Sequence, residues 1–208
     1  MRKTIYFFLI FIIACNSGTD SKKKSNYFKE NDSGAEMLGS DVYTKHNFKD
    51  TKKSFNFLGE SFQGRKKTVL INNIFYSASI LPKEYYIKKY FKKSDSLDSY
   101  LNKMKKEEVI QFDFQYLTGT DLFKGKSASE VEALIKYLSF KVKDDFYAIT
   151  LNNDTIPASG VLFERSFKLT PYKRLLLYFN FSEEQKKIKL VYQGKIFDKQ
   201  LIKFGLFK

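Results

Sequence analysis

The sequence predicts an α+β fold that is mainly β, with short helices in a first part (residues 52–126) and an antiparallel β-sandwich in a C-terminal part (residues 127–208). Three observations lead there. From Phe146 onward, runs rich in β-branched and aromatic residues recur about every eight to twelve residues between turn signals. Helical spacing appears only in brief stretches, between Pro82 and Met104 and after Ser127. Of 208 residues, 43% are hydrophobic and 29% charged, the balance of a folded chain rather than a disordered one.

Thr68–Ile71 and Ile74–Leu81 read as one long or bulged strand, stopped by Pro82, which suits the first position of a helix. Ile87, Tyr90 and Phe91 then fall at i, i+3 and i+4, and Leu97, Tyr100, Leu101 and Met104 repeat helical spacing. This predicts a short helical pair or one broken helix, with Ser94 or Ser96 able to cap the second piece. From Val109 to Leu117, Ile110, Phe112, Phe114 and Tyr116 alternate with Gln111, Asp113 and Gln115, the pattern of a half-buried strand. Ser127 and Glu130 form a capping box, which predicts a helix from Ala128 to about Ile135.

Beyond it the signal is β. Tyr137, Phe140 and Val142 lead to a strand at Phe146–Leu151 and a turn at Asn152–Asp154. Val161–Leu169 alternates, Arg174–Phe181 is apolar enough for a central strand, and Ile188, Leu190 and Tyr192 alternate with Lys. Leu201–Phe207 closes the chain. The strand rhythm resembles that of Ig-like domains in exported lipoproteins, without the Cys–Trp–Cys signature of antibody domains; the likeness implies an architecture and no activity.

The N-terminus carries a more specific pattern. Arg2 and Lys3 precede the uncharged run Ile5–Ile13, which is about half of the ~20 residues a spanning helix needs, so residues 1–14 read as a cleaved signal. Ile12-Ile13-Ala14-Cys15 resembles the lipobox of bacterial lipoproteins, and the one cysteine of the chain stands where such a signal needs it. The resemblance implies a lipidated Cys15, acylated in the manner of palmitate-bearing lipoproteins. It also implies a place in the cell envelope, in the periplasm or on the outer face of the outer membrane. Several acyl chains, each contributing about 0.8 kcal/mol per buried CH₂, would make that anchoring permanent. Residues 15–51 then form a polar tether, too poor in apolar residues to offset the entropy of ordering.

Charge narrows the partners. Lys+Arg number 37 against Asp+Glu 23, and loss of Arg2 and Lys3 with the signal takes the net charge from +14 to +12. The tether carries six residues of each sign, so the excess belongs to residues 52–208. Only Arg2, Arg65, Arg165 and Arg174 are arginines. Lysine is a strongly hydrated point charge, and a lysine-rich surface on an exported protein reads as a solvated face rather than a nucleic-acid site.

The search for chemistry leaves little. His46, the one imidazole, lies in the tether, and no cofactor loop, metal motif or nucleophile elbow occurs. The acidic pairs Glu107-Glu108, Asp144-Asp145 and Glu183-Glu184 sit beside lysines or in turns, the usual solvated placement. What remains is Glu164-Arg165 between apolar neighbours and Tyr172-Lys173-Arg174 before the most apolar strand. Arg165, Arg174 and Tyr172 are therefore the candidate contacts to a partner or an anion, with an ion pair to Glu164 as the structural alternative. Tyr85, Tyr86 and Tyr90, next to lysines, are candidates for a sugar- or partner-facing surface.

These readings give a non-enzymatic binding or structural lipoprotein of the envelope that needs no cofactor. Its partners are membrane lipid, through Cys15, and an envelope or secreted protein. Two alternatives from other classes are a carbohydrate-binding surface lipoprotein and a hydrolase whose carboxylates come from distant segments.

Overall fold

The computed structural model describes residues 47–91, 96–165, 170–197 and 200–207. Cys15, His46, the signal and nearly all of the tether lie outside the described residues.

Two antiparallel sheets form the body. β1 (Lys49–Phe57), β2 (Glu60–Ile71), β3 (Ile74–Ile80), β4 (Glu107–Tyr116), β7 (Gly160–Glu164) and β8 (Tyr172–Asn180) make a six-stranded sheet in the order β1-β2-β3-β4-β8-β7. β5 (Phe146–Ile149), β6 (Thr155–Pro157), β9 (Lys187–Gln193) and β10 (Leu201–Phe207) make a four-stranded sheet in the order β10-β9-β5-β6. The fold is therefore the antiparallel β-sandwich with short helices that the sequence predicts. β4 and β8 pair from Glu107↔Asn180 to Gln115↔Tyr172, so the larger sheet takes strands from both sides of Lys126.

Alternation decides which residues meet between the sheets. Tyr76 and Ala78 of β3, Phe112 and Phe114 of β4, and Leu175 and Leu177 of β8 face Phe146, Leu190, Tyr192 and Phe204 of the smaller sheet, all buried. The opposite face of the larger sheet is covered in part by α1 (Lys83–Tyr90) and α2 (Leu97–Lys103), which lie between β3 and β4 in the chain. There Tyr85, Tyr86 and Ile87 bury themselves against Phe55, Leu81, Val109 and Leu176. Lys83 Nζ ties the two helices, donating to the carbonyls of Met104 at 2.7 Å and Lys105 at 2.8 Å. Among the described residues no helix is long and apolar enough to cross a membrane.

Several boundaries differ from the sequence reading, each for a physical reason. Residues 68–81 are not one strand: Asn72 and Asn73 take positive φ (47° and 64°), the geometry of a two-residue hairpin turn. β1 begins at Lys49, inside the segment assigned to the tether, and turns into β2 through Leu58 and Gly59, both at positive φ. Only Lys49–Thr51 of this hairpin fall in the segment assigned to the tether, and the lysines of β1 suit an edge strand, where charge discourages pairing with another chain. β4 is not half-buried: α1 packs on Val109 of its second face, and Gln111 and Asp113 further along that face are buried too. α3 (Ala128–Phe140) keeps the Ser127–Glu130 capping box but runs past Ile135, and a 3-10 turn at Val142–Asp145 follows it. Its continuation places Leu138, one turn after Leu134, in the main core. Pro82 stands just before α1 rather than inside it, its carbonyl accepting from Tyr86 N at 3.0 Å. Pro157 sits on β6, an edge strand, where its missing N–H costs no ladder bond.

Candidate functional site

The polar residues converge on the helix-covered face of the larger sheet. Strand parity puts Lys53, Phe55 and Phe57 of β1 on that face, with Lys66 and Thr68 of β2 and Ser77 and Ser79 of β3. Gln111 and Asp113 of β4, Tyr172 and Arg174 of β8 and Glu164 of β7 complete it. α1 covers the end carrying Phe55, Phe62 and Leu81, and its last residues, Lys89 and Tyr90, reach Glu164.

Arg174 is the hub. Its Nε donates to Asp113 Oδ1 at 2.8 Å and its Nη2 to Asp113 Oδ2 at 3.1 Å, a bidentate pair across the β4–β8 ladder. Its Nη1 lies 3.6 Å from Glu164 Oε2, and its guanidinium stacks 4.6 Å from the Tyr172 ring centroid. Glu164 also accepts from the Tyr90 hydroxyl and lies 3.9 Å from Lys89 Nζ. Burial, the largest single influence, would depress the Arg174 guanidinium, but the hydrogen bonds and charge of Asp113, together with Tyr172 and Glu164, outweigh it and the net shift is upward. Burial and then the Glu164 contact hold the Tyr90 phenol well above its ordinary range.

Tyr172 and Arg174, as read from the sequence, come together, and with Glu164, Arg165 and Thr170 they line an open cleft of about 370 Å³. Among the described residues the expected ion pair to Glu164 forms at Arg174 and not at Arg165. Glu164 is taken by Arg174, Lys89 and Tyr90, while Arg165, just past the end of β7, is exposed at the cleft. The acidic doublets are corrected as well. Glu108 and Asp145 are each only 1% exposed. Glu108 is paired with Lys83 at 3.4 Å, and Asp145 with Lys195 at 2.7 Å and the Tyr137 hydroxyl. Tyr85 and Tyr86 are buried beneath α1 and offer no open surface.

Two carboxylates from distant segments do meet, Asp113 and Glu164, but on either side of one guanidinium. Both oxygens of Asp113 accept from Arg174, and Oδ2 also accepts from Gln111 at 2.8 Å. An acid/base pair needs carboxylates turned toward a shared substrate space; these are turned onto Arg174. Among the described residues no three His, Cys, Asp or Glu side chains converge as a metal site.

Sequence reasoning missed Lys53. It is half-buried, and its amine is lowered from an ordinary 10.5 to about 8. Burial is the main cause; Asp113 pulls the amine back up, while Arg174, Lys66 and Lys89 push it further down. The signal was the alternation Lys53-x-Phe55-x-Phe57, which puts the lysine on the apolar side of an otherwise polar strand. The stability consequence has a definite sign. Below about pH 8 both folded and unfolded chains hold the proton, and the fold carries the full penalty of the buried charge. Between about 8 and 10.5 the unfolded chain binds more protons, so stability rises with pH. Lys53→Met is therefore expected to raise the urea midpoint at pH 7, with the gain shrinking as the pH passes from 8 to 10.5. A loss of stability at pH 7 would contradict this account.

No family model matches the chain, and no curated protein or solved structure matches it. The fold and the site thus define a helix-covered β-sandwich with a cationic, aromatic cleft.

Proposed function

We propose that this chain is a membrane-anchored lipoprotein acting as a non-enzymatic binding module of the cell envelope, held by acyl groups on Cys15 and engaging an envelope or secreted protein. The anchor rests on the lipobox-like Ile12–Cys15. The observation that carries the binding half is the cleft at the ends of β7 and β8, where exposed Arg165 stands beside Tyr172 and Arg174. Arginine and tyrosine dominate the energetic centres of protein interfaces, because each supplies a large contact area together with directional hydrogen bonds. Arg174 and Tyr172 are held rigid by Asp113 and by stacking on each other, so little side-chain entropy is lost when a partner docks.

Two measurements test the halves separately. Cys15→Ser is expected to abolish incorporation of radiolabelled palmitate, and persistent labelling would remove the anchor. A photo-crosslinking residue at Arg165, in intact cells, is expected to yield one protein adduct of defined mass. The same residue at Leu151, exposed in the turn after β5, should not. Equal adducts at both positions would sink the cleft as the contact surface.

A further inference from the structure

A cavity of about 310 Å³, separate from the Arg165 cleft, lies toward the other end of the strands of the larger sheet. Glu108, which lines it, is opposite Phe179 near the end of β8, whereas Tyr172 and Arg174 of the cleft stand at the start of that strand. Its walls come from both sheets. Arg65 of β2, Ile80 of β3 and Glu108 of β4 line it from the larger sheet, and Phe207, the last residue of β10, from the smaller. Strand parity explains the charged members. Arg65 shares the core-facing side of β2 with Val69, and Glu108 that of β4 with Ile110, each just beyond the apolar stretch of its strand. Pro82 and Lys83 border the cavity where α1 begins.

The charges of this cavity are matched in pairs. Lys83 Nζ lies 3.4 Å from Glu108 Oε1 and also donates to the carbonyls of Met104 and Lys105. Arg65 donates Nε to Asp50 Oδ1 at 3.3 Å and Nη2 to Oδ2 at 2.8 Å, an edge-on pairing that leaves Nη1 turned away from Asp50. A charged ligand would therefore meet repulsion as well as attraction. A cation drawn to Glu108 faces Lys83 and Arg65, and an anion drawn to Arg65 faces Glu108. A neutral group that both donates and accepts hydrogen bonds escapes both penalties. The remaining wall is apolar. Ile80 and Pro82 border it, and the Phe207 ring is 36% exposed, with the Arg65 guanidinium 5.8 Å from its centroid.

We propose that this cavity binds a single neutral sugar ring, with hydroxyls on Arg65 and Glu108 and the C–H face of the ring on Pro82 and Phe207. A sugar divides its surface as the cavity does. Each hydroxyl is one donor and two acceptor sites, so neighbouring hydroxyls can give to a carboxylate and accept from a guanidinium at once. The axial C–H bonds make one face apolar enough to rest on an aromatic edge. The volume stands at the lower end of the roughly 300–1,000 Å³ range of ligand cavities, room for one ring rather than a chain. That ring is either a free hexose or the terminal residue of a glycan. The site depends neither on the lipid anchor nor on Arg165 contacting a partner.

The test is saturation-transfer difference NMR on the full chain. The probes are glucose, galactose, mannose and N-acetylglucosamine, each as the free sugar and as its methyl glycoside, with propionate and tetramethylammonium as charged comparisons. Saturable transfer to at least one sugar at millimolar concentration is expected. Binding of the methyl glycoside as well assigns a glycan terminus, and binding of the free sugar alone assigns a free hexose. Phe207→Ala, at a partly exposed ring, is expected to weaken binding about fivefold to tenfold, and Arg65→Met to weaken it as well. Phe140→Ala, at an exposed ring at the end of α3, should leave it unchanged. No saturable transfer to any of the sugars would overturn the site. Transfer unchanged in both Phe207→Ala and Arg65→Met would overturn its location, and tighter binding of propionate or tetramethylammonium than of every sugar would overturn the neutral ligand.

Discussion

Phe112→Ala is expected to lower unfolding stability by about 4 kcal/mol, the loss typical of a fully buried ring whose surroundings cannot collapse. Phe112 has no exposed surface. Its ring centroid lies 5.0 Å from Phe114 on its own strand, and 4.9, 5.3 and 5.5 Å from Phe146, Tyr192 and Phe204 on three strands of the opposite sheet. Through it β4 touches three of the four strands of the smaller sheet, β5, β9 and β10. The neighbours are themselves rings, each wedged against another: Phe146 stacks on Tyr192 at 4.7 Å, and Tyr76 meets Phe114 edge-on at 5.9 Å. Such rings have two χ angles and little freedom to move into a void, so most of the cavity persists. A domain of this size is stable by only about 5–15 kcal/mol, and the variant should remain folded at 25 °C with a much lower urea midpoint. Phe140→Ala, which removes a ring that is 67% exposed at the end of α3, should change stability by less than about 0.5 kcal/mol. A loss below about 1 kcal/mol at Phe112 would mean that the sheets can close over the gap.

What the sequence could reveal of this fold depended on whether a signal was local. The Ser127–Glu130 capping box is a contact over three residues, and both of its hydrogen bonds form. The alternation of Phe112 and Phe114 correctly placed one face of β4 in the core, because period two is a property of a single strand. It could not place the other face, where Val109 packs under α1 and Asp113 pairs with Arg174 of β8, so that Gln111 and Asp113 are buried as well. The β1–β2 hairpin was hidden for a related reason. An edge strand defended by lysines has the composition of a solvated leader, and only Phe55, Phe57 and the turn at Leu58–Gly59 mark it as structure. At the site, the rarity of arginine singled out Arg165 and Arg174, and proximity along the chain brought Tyr172 with them. Glu164, close to Arg165 along the chain, was legible as an ion-pair partner, but Asp113 and Tyr90 were not. Asp113 meets Arg174 across 61 residues and Tyr90 meets Glu164 across 74, pairings set by sheet register rather than by spacing. Lys53 shows the limit most clearly: its alternation with Phe55 and Phe57 gives its face, but the charges that act on it come from β2, β4, β8 and α1.

Arg174→Met is expected to cost about 3–5 kcal/mol, the range observed when one partner of a buried ion pair is removed. Arg174 and Asp113 are 18% and 12% exposed at the side chain, so neither charge is well served by water. Without the guanidinium, Asp113 keeps only the Gln111 amide, and Glu164 keeps Lys89 and Tyr90. Most of the loss is the desolvation of a stranded carboxylate, not the net worth of the pair, and two further measurements separate these. First, Arg174→Met combined with Asp113→Leu should recover much of the stability, because no buried charge is left alone and the replacement side chains pack. Second, the penalty of Arg174→Met alone should shrink as the pH falls toward about 4. An unpaired buried carboxylate has its pKa raised above the unfolded value, so the variant's fold takes up a proton that the unfolded chain takes up only at lower pH. Arg174→Lys should rescue little, since an ammonium cannot bridge Asp113 Oδ1 and Oδ2 while also facing Glu164. If the single and double variants were equally unstable, the hub would owe its stability to the packing of the Arg174 stem against Tyr172 rather than to its charge. The rigid presentation of the cleft would then rest on that stacking contact alone.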